Sequence, residues 1–250
     1  MIKGITTGIK AYFEAYKILS RLRLWKYFVI PVVLCVIIFF IIGFLSYFLS
    51  GNIGNYIASF WFANFWPWDH GKDTIHNISN MLGALIVIVI GFIAFKHLVM
   101  ALSAPFIGPI SKIIEDDFTG VVSDKENSSF LKLLLRGVRI ALRNFAKELF
   151  LTLPILLFGL IPVIGLFSTV LLFLLQSYFA GFGNMDPTLE RHLTYKESIL
   201  FVQKNKGLAL GNGVVFVLFL LLPFLGVLLV LPFSVTAATI ATVKLIHKEH

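Results

Sequence analysis

A run of regularly spaced cations lies between positions 132 and 147, and its residue types and spacing could bind an anion. They follow one another at intervals of four, three, four and four residues, which places them along one face of a helix. They are Lys132, Arg136, Arg139, Arg143 and Lys147. Such a face can attract an anion into a cytoplasmic vestibule, with Arg136, Arg139 and Arg143 at its centre. It can also lie at a membrane interface and contact anionic lipid head groups, which is the simpler interpretation.

Two further ionisable residues, Lys96 and His97, stand inside an apolar run that covers residues 81–104. A charge within a membrane span costs roughly 2.5–3.5 kcal/mol and often serves a function. The long stem of Lys96 can instead reach the head groups, so we expect it to snorkel rather than to line a pathway. His97 could relay protons, but the run contains no carboxylate that could pair with it.

The acidic residues give no sign of a catalytic site. Glu115, Asp116 and Asp117 are adjacent in "IEDDFTG". Acid–base catalysis needs carboxylates in a pocket that separates their pKa values, so we expect these three to be solvated or paired with the basic helix. The sequence contains no nucleotide-binding loop, no serine nucleophile elbow and no paired His–Glu zinc motif. We therefore expect neither an enzyme nor a bound cofactor.

The segment 61–76 reads "WFANFWPWDHGKDTIH" and is dense in aromatic residues. This density is typical of an interfacial belt on a short helix along the outer membrane surface. Four of its residues could chelate a metal, but Gly71 favours a loop there, and solvated polar residues need no metal to explain them. The four are Asp69, His70, Asp73 and His76. We expect no metal site.

The composition indicates an all-α integral membrane protein that forms a single domain over residues 1–250. Hydrophobic residues make up 58% of the chain and charged residues 14%, with a mean hydropathy of +0.90. The single cysteine, Cys35, excludes a disulfide framework. The net charge of +8 does not require a nucleic acid as partner, because cytoplasmic loops of membrane proteins are rich in Lys and Arg.

Four apolar blocks organise the chain, at 27–50, 81–104, 150–183 and 208–243. The first two have the length of one transmembrane helix each. The last two exceed thirty residues, which is too long for one straight crossing and too short for two.

The distribution of Lys and Arg predicts how these blocks are oriented. Basic residues are concentrated in 1–26, 105–149 and 184–207, whereas 51–80 contains only Lys72. Because basic loops stay in the cytoplasm, we expect these three segments and both termini on the cytoplasmic side, with amphipathic helices among them. The first two blocks then cross the membrane. The third and fourth must start and finish in the cytoplasm.

A Pro-x-x-Gly sequence at the centre of each long block offers a way to turn back. Pro162 and Gly165 lie in the third block, and Pro223 and Gly226 lie in the fourth. Proline ends a helix because it lacks an N–H, and glycine permits a tight reversal. We therefore predict two re-entrant helical hairpins whose tips are covered by protein. The alternative is two kinked, tilted spans, which would place a basic loop outside.

Several segments resemble the family of CysZ, the bacterial sulfate permease. They are "LRLWKYFVIP" before the first span, "SAPFIGPISKIIEDDFTG" after the second, "IPVIG" and "MDP" in and after the third block, and "YKESILFVQKNKGLALGNG" before the fourth. The resemblance covers nearly the whole chain. It implies two long transmembrane helices, two hairpins that penetrate only part of the membrane, and sulfate uptake across a bacterial inner membrane.

The resemblance also implies a binding site. The family's sulfate-associated Gly-Leu-Arg-Arg stretch falls on Arg23, Leu24, Trp25 and Lys26. Leu24 is identical and Lys26 keeps a positive charge, while Arg23 places a charge where the family has glycine. Arg23, Leu24 and Lys26 are therefore the predicted anion-binding residues.

Two functions remain open on the sequence alone. The first is an inner-membrane permease or channel for sulfate or a related oxyanion, assembled as a homo-oligomer because two spans are too few to line a pore. The second is a non-transporting scaffold or bilayer-shaping protein, whose hairpins wedge one leaflet. Hairpins without any polar lining would indicate the second. The expected partners are an inorganic oxyanion, membrane lipids and further copies of the chain.

Overall fold

The computed structural model is helical in the residues that it describes. These are residues 1–64, 71–120, 129–159, 161–222 and 225–249. No strand occurs in these ranges, so the all-α class is confirmed. A short 3₁₀ helix, Leu24–Phe28, joins the first two α-helices. The α-helices are α1 (Ile2–Arg21), α2 (Val29–Asn64), α3 (Lys72–Thr119), α4 (Phe130–Gly159), α5 (Pro162–His192), α6 (Tyr195–Lys204), α7 (Lys206–Leu220) and α8 (Leu225–Glu249).

Four stretches of helix are long and apolar enough to cross a membrane. They are Leu24–Phe60, Lys72–Thr119, Ile164–His192 and Leu229–His247. Helix α7 is apolar as well, but it is shorter. These lengths and compositions indicate a multi-pass membrane protein.

Helices α2 and α3 contain the two predicted spans and extend beyond both. Helix α2 runs on through Gly51 and Gly54, and α3 passes through Pro105 and Pro109. These residues are signals for a helix end in water. Both helices nevertheless continue without a break through these positions.

The chain forms two compact units. One comprises Ile37–Phe95, and the other comprises Met1–Val36 together with Lys96–His250. In the smaller unit α2 and α3 run antiparallel, so close together that a methyl group on Gly83 would lie 2.7 Å from the backbone nitrogen of Gly54. Small residues at a helix crossing permit this approach, as is common in membrane proteins.

The larger unit is built around α7. On one side α7 packs on α1, where Gly8 lies against the backbone of Gly211. On the other side it packs on α5, where Gly181 lies against the carbonyl oxygen of Ala209. Helix α8 is largely buried and contributes residues from Val230 to Ile246 to the same core. The short helix α7 is therefore the centre of the unit.

Helices α4 and α5 form an antiparallel pair. Arg136 contacts Asp186 near one end, and Gly159 lies against Ser168 near the other. Helix α4 ends at Gly159 and α5 begins at Pro162. Proline is favoured at the first position of a helix, because its missing N–H would have no partner there.

The role of the proline in the third block therefore differs from the prediction. The sequence predicts that Pro162 ends a helix and that Gly165 makes the reversal. Pro162 instead begins α5, because α4 has already ended three residues earlier. Gly165 lies in the first turn of α5, where its N–H donates to the carbonyl oxygen of Ile161 at 2.7 Å.

The fourth block is interrupted between α7 and α8. Helix α7 ends at Leu220 and α8 begins at Leu225. Pro223 lies outside the described residues, and Gly226 lies in the first turn of α8. As in the third block, the glycine belongs to the helix that follows.

Candidate functional site

Three ion pairs connect α3, α4 and α5 to one another inside the larger unit. They are Lys96–Glu148 between α3 and α4, Arg136–Asp186 between α4 and α5, and Arg191–Glu115 between α5 and α3. Ionisable residues inside a membrane protein are rare and are by default candidates for function. The region between these three helices is therefore one candidate site, and the predicted anion contact at Arg23, Leu24 and Lys26 is the other.

The Arg136 guanidinium is held on several sides. Its Nη2 donates to Asp186 Oδ1 at 3.0 Å and to Ser198 Oγ at 2.8 Å. Its Nη1 donates to the carbonyl oxygen of Leu193 at 3.0 Å, and its Nε lies 3.5 Å from Asp186 Oδ2. Asp186 thus faces the guanidinium with both oxygens, which is the strong, side-on form of an Arg–carboxylate pair.

Helix α6 positions Ser198 for this contact through its capped N-terminus. The N–H of Thr194 donates to Glu197 Oε2 at 2.8 Å, and the N–H of Glu197 faces Thr194 Oγ1 at 3.5 Å. This reciprocal capping box satisfies donors that the first turn would otherwise leave without partners. The hydrogen bond from the backbone N–H of Thr194 lowers the pKa of Glu197.

The other two central cations of α4 also contact the protein. The Arg139 guanidinium lies 4.0 Å from the centre of the Tyr195 ring, and Arg143 Nη1 donates to Asn144 Oδ1 at 2.7 Å. The buried face of α4 includes Leu133, Ile140 and Ala141, and four of its other apolar residues are exposed, namely Leu131, Leu135, Val138 and Leu142. On this face Arg136 and Arg143 are half-buried, whereas Lys132, Arg139 and Lys147 are exposed and remain accessible to lipid head groups.

The sequence predicts that Lys96 snorkels to the head groups. In the structure Lys96 is instead buried in an ion pair. Its side chain is fully enclosed, and Nζ donates to Glu148 Oε1 at 2.5 Å and to the carbonyl oxygen of Gln176 at 3.1 Å. The other oxygen of Glu148 lies 2.9 Å from His97 Nε2. Glu148 was not identified from the sequence, because a carboxylate partner for Lys96 and His97 was considered only within their own apolar block. The signal available was a carboxylate at the edge of the next block.

Glu115 and Asp117 are paired, but not with the basic helix that the sequence predicts as their partner. Glu115 Oε2 accepts from Arg191 Nη2 at 2.6 Å, and Glu115 Oε1 lies 2.5 Å from His192 Nε2. Asp117 pairs with Arg21, the last residue of α1. The basic partners therefore come from α5 and α1 rather than from the cationic face of α4.

Buried hydroxyl groups continue the polar interior beside Arg191. Ser111 Oγ accepts from Arg191 Nη2 at 3.0 Å and lies 2.9 Å from both Thr188 Oγ1 and Thr239 Oγ1. The two threonine hydroxyls are 3.1 Å apart. Three helices, α3, α5 and α8, are thus connected through one hydroxyl cluster, which satisfies these polar groups away from water.

A narrow cleft lies between α3, α4 and α5. Its polar lining consists of His97, Asn144, Asp186 and Glu190. Asn144 is fully buried, and its Nδ2 has no hydrogen-bond partner among the described residues. A buried donor without a partner costs free energy, so its retention beside a cleft calls for a functional explanation.

The predicted anion-binding residues lie on the segment that joins α1 to α2. Leu24 is 1% exposed and anchors this segment in the core, whereas Arg23 and Lys26 are exposed. Arg23 has φ 51° and ψ 40°, and it is the one non-glycine residue with positive φ in the described part of the chain. Lys26 Nζ lies 5.1 Å from the centre of the Tyr27 ring. No acidic side chain in the described ranges forms an ion pair with either cation.

Comparison with known proteins assigns the chain to a family. The family described as "Sulfate transporter CysZ/Etoposide-induced protein 2.4" matches residues 11–231. This chain belongs to that family. Two proteins of Pseudomonas aeruginosa, from strains LESB58 and PAO1, are each named sulfate transporter CysZ. Each is 27% identical to this chain over 170 residues, which cover 65% of this chain and 67% of the relative.

The match to the CysZ family includes both groups of cations. Residues 11–231 contain Arg23 and Lys26 as well as Arg136, Arg139 and Arg143. No hydrogen bond, ion pair or ring contact within the described ranges joins the first group to the second. The structure therefore presents two separate cationic regions, an exposed one before α2 and a partly buried one on α4.

Proposed function

We propose that this protein is a permease or channel for sulfate or a related oxyanion in a bacterial cytoplasmic membrane, with both termini in the cytoplasm. Membership of the CysZ family carries this proposal. The exposed cations of the matched region support it, because a cation that has no carboxylate partner remains available to an anion. We assign the first contact with the oxyanion to Arg23 and Lys26.

The architecture that we propose assigns membrane crossing to α2 and α3. The pairs α4–α5 and α7–α8 would enter the membrane and return as hairpins, each reversing between the end of its first helix and the start of its second. The antiparallel packing of α4 and α5 supports the first hairpin. Two crossings cannot enclose a pore, so we propose that several copies of the chain assemble.

The proposed contact combines charge with a fixed backbone. Leu24 is held in the core, which limits how far the exposed cations on either side of it can move. Guanidinium and ammonium groups suit an oxyanion in different ways, since Arg offers a planar pair of donors and Lys a compact charge. The cationic face of α4 would then attract the anion further, with Arg136, Arg139 and Arg143 as its residues.

The polar interior favours transport over a scaffold function. A bilayer-shaping scaffold requires only apolar hairpins. The buried face of α4 instead carries Asn144, Glu148 and Thr152, each 1% exposed or less. Burying such groups is costly, and a structural wedge would gain nothing from them.

The proposed function is tested by sulfate binding to the purified protein in detergent, with selenate, phosphate and chloride as competitors. We expect saturable binding that weakens at least about tenfold in Arg23→Ala/Lys26→Ala, because two charged contacts are lost. Lys10→Ala/Lys17→Ala is the matched control, since it removes the same charge from exposed positions of α1.

Sulfate uptake into proteoliposomes by the same three proteins completes the test. The wild type and the control should take up sulfate at similar rates, and Arg23→Ala/Lys26→Ala should be slower. Absence of both saturable binding and uptake in the wild type would refute the permease proposal and leave the scaffold function. An equal loss in both double variants would refute the assignment to Arg23 and Lys26.

A further inference from the structure

Arg136 would stay in place if its carboxylate partner moved away. Besides Asp186, its guanidinium donates to the carbonyl oxygen of Leu193 at 3.0 Å and to Ser198 Oγ at 2.8 Å. Neither group carries a charge. Asp186 is therefore the group that neutralises this cation, while Leu193 and Ser198 fix its position.

Asp186 also lines the cleft between α3, α4 and α5, and a second donor lies deeper along that cleft. Asn144 is two turns beyond Arg136 on α4, about 12 Å along the helix axis. Its Oδ1 accepts from Arg143, which leaves Nδ2 as a fully buried donor without a partner in the described part of the chain. The cleft thus has a neutralised cation at one position and an unused donor at the next.

We propose that the Asp186 carboxylate is a tethered counter-anion, which occupies the place on Arg136 that a conducted oxyanion takes during passage. This inference rests on the proposed function and names an internal contact for the same anion. When the oxyanion arrives, it exchanges with Asp186 on the guanidinium. Asn144 Nδ2 is the next donor that it meets.

The exchange is feasible because carboxylate and sulfate bind a guanidinium in the same side-on manner. Replacing one oxyanion by another preserves the charge pairing of Arg136. The displaced Asp186 carboxylate takes up a proton as it leaves, because a buried charge without a partner is strongly unfavourable. Glu190 also lines the cleft and would repel an anion, and the charges of Arg136, Arg191 and Lys132 weaken this repulsion.

The test measures how sulfate changes the thermal stability of Asp186→Asn, with chloride at matched ionic strength as reference. This variant leaves Arg136 without its carboxylate, so we expect a lower melting temperature in chloride and a larger stabilisation by sulfate than in the wild type. The apparent affinity for sulfate should rise about tenfold, as expected for one additional charge-assisted contact.

Two variants separate this effect from a general response to lost charge. Asp186→Glu keeps a tethered carboxylate and should show no gain in sulfate stabilisation. Glu115→Gln neutralises the partner of Arg191, outside the lining of the cleft, and should show none either. A gain in sulfate stabilisation in Glu115→Gln equal to that in Asp186→Asn would overturn the proposal. Sulfate would then bind any buried arginine that has lost its carboxylate partner.

The same comparison of sulfate stabilisation, with and without Asp186→Asn, is made in the Arg23→Ala/Lys26→Ala background. There the result does not depend on the contact at Arg23 and Lys26. A sulfate gain from Asp186→Asn in that background supports the internal site even if the wild type transports no sulfate, in which case only the proposed function fails. Sulfate transport by the wild type without such a gain overturns the tethered counter-anion alone.

A charge-neutral pair of substitutions covers the case in which Asp186→Asn does not fold. Arg136→Gln/Asp186→Asn leaves no buried charge uncompensated at this position. Its sulfate uptake should fall about tenfold because the internal contact is gone. Uptake equal to that of the wild type would overturn the proposal.

Discussion

At the scale of single residues, Arg23 meets two requirements at once. Its side chain is a proposed anion contact, and its backbone adopts the left-handed conformation directly after α1. Glycine suits that conformation best, which accounts physically for the glycine in the family's Gly-Leu-Arg-Arg stretch. The cation could be predicted from the sequence. The backbone requirement could not, because it depends on where α1 docks and how the chain turns toward α2.

Replacing Arg23 by glycine should therefore stabilise the fold while it weakens sulfate binding. We expect Arg23→Gly to raise the free energy of unfolding by about 1 kcal/mol, because the left-handed backbone strains any residue with a Cβ. Circular dichroism during titration with a denaturing detergent measures this change. Lys17→Gly, at an exposed position within α1, should lower the free energy by about 1 kcal/mol. Similar losses in both variants would contradict the backbone explanation.

The buried Lys96–Glu148 pair yields a second prediction at this scale. Glu148→Gln should lower the free energy of unfolding by about 3–5 kcal/mol, because it leaves the Lys96 charge buried and uncompensated. Lys96→Met/Glu148→Gln should recover most of that loss. The same detergent titration measures both.

The matched control for this pair is Lys244–Glu14, whose side chains are 36% and 45% exposed. Glu14→Gln should cost about 1 kcal/mol or less, because water already screens that pair. A small effect of Glu148→Gln, similar to that of Glu14→Gln, would show that Lys96 has another way to keep or release its charge.

At the scale of helices, the sequence predicts which segments are helical better than it predicts where each helix begins and ends. The apolar blocks 27–50 and 81–104 lie within α2 and α3, because hydropathy over twenty residues is a direct physical signal. The ends are harder to predict, since Gly51 and Pro105 are common signals for a helix end but lie inside α2 and α3. The predicted break at Pro-x-x-Gly is not found in the third block, because α4 already ends at Gly159 and Pro162 begins α5.

The close packing of α5 on α7 yields a prediction at the scale of helices. A methyl group on Gly213 would collide with the backbone carbonyl oxygen of Ser177. We therefore expect Gly213→Ala to lower the free energy of unfolding by about 2 kcal/mol or more, because the two backbones must separate. Gly43→Ala in α2 is the control, since no atom lies within 4 Å of its added methyl group. Equal melting temperatures of both variants would contradict this packing.

At the scale of the whole molecule, the number of apolar blocks and the all-α class could be predicted, but the path of the third and fourth blocks could not. Ile164–His192 and Leu229–His247 are long and apolar enough to cross a membrane by themselves. Length and composition therefore permit both a crossing and a hairpin. Within the sequence, the asymmetry of Lys and Arg is what favours the hairpins over crossings, because it predicts on which side of the membrane each block begins and ends.

Chemical labelling distinguishes the two paths. Single cysteines replace Lys72 and Lys196 in a Cys35→Ser background, and a membrane-impermeant maleimide is added to uniformly oriented vesicles. If α4–α5 is a hairpin, only position 72 labels from outside. Position 196 should label after the vesicles are permeabilised, which controls for reactivity. Labelling of position 196 from outside would contradict the hairpin.

The buried Lys96–Glu148 pair also has a consequence for biosynthesis. Lys96 precedes Glu148 by 52 residues in the chain, and ribosomes add about 5–20 residues per second. For several seconds α3 therefore carries an ammonium group whose partner has not been synthesised, at a cost of roughly 2.5–3.5 kcal/mol for insertion. The apolar remainder of α3 must keep the nascent helix in the bilayer during this interval. We expect the Lys96 charge to be compensated only once α4 has been synthesised and packs against α3.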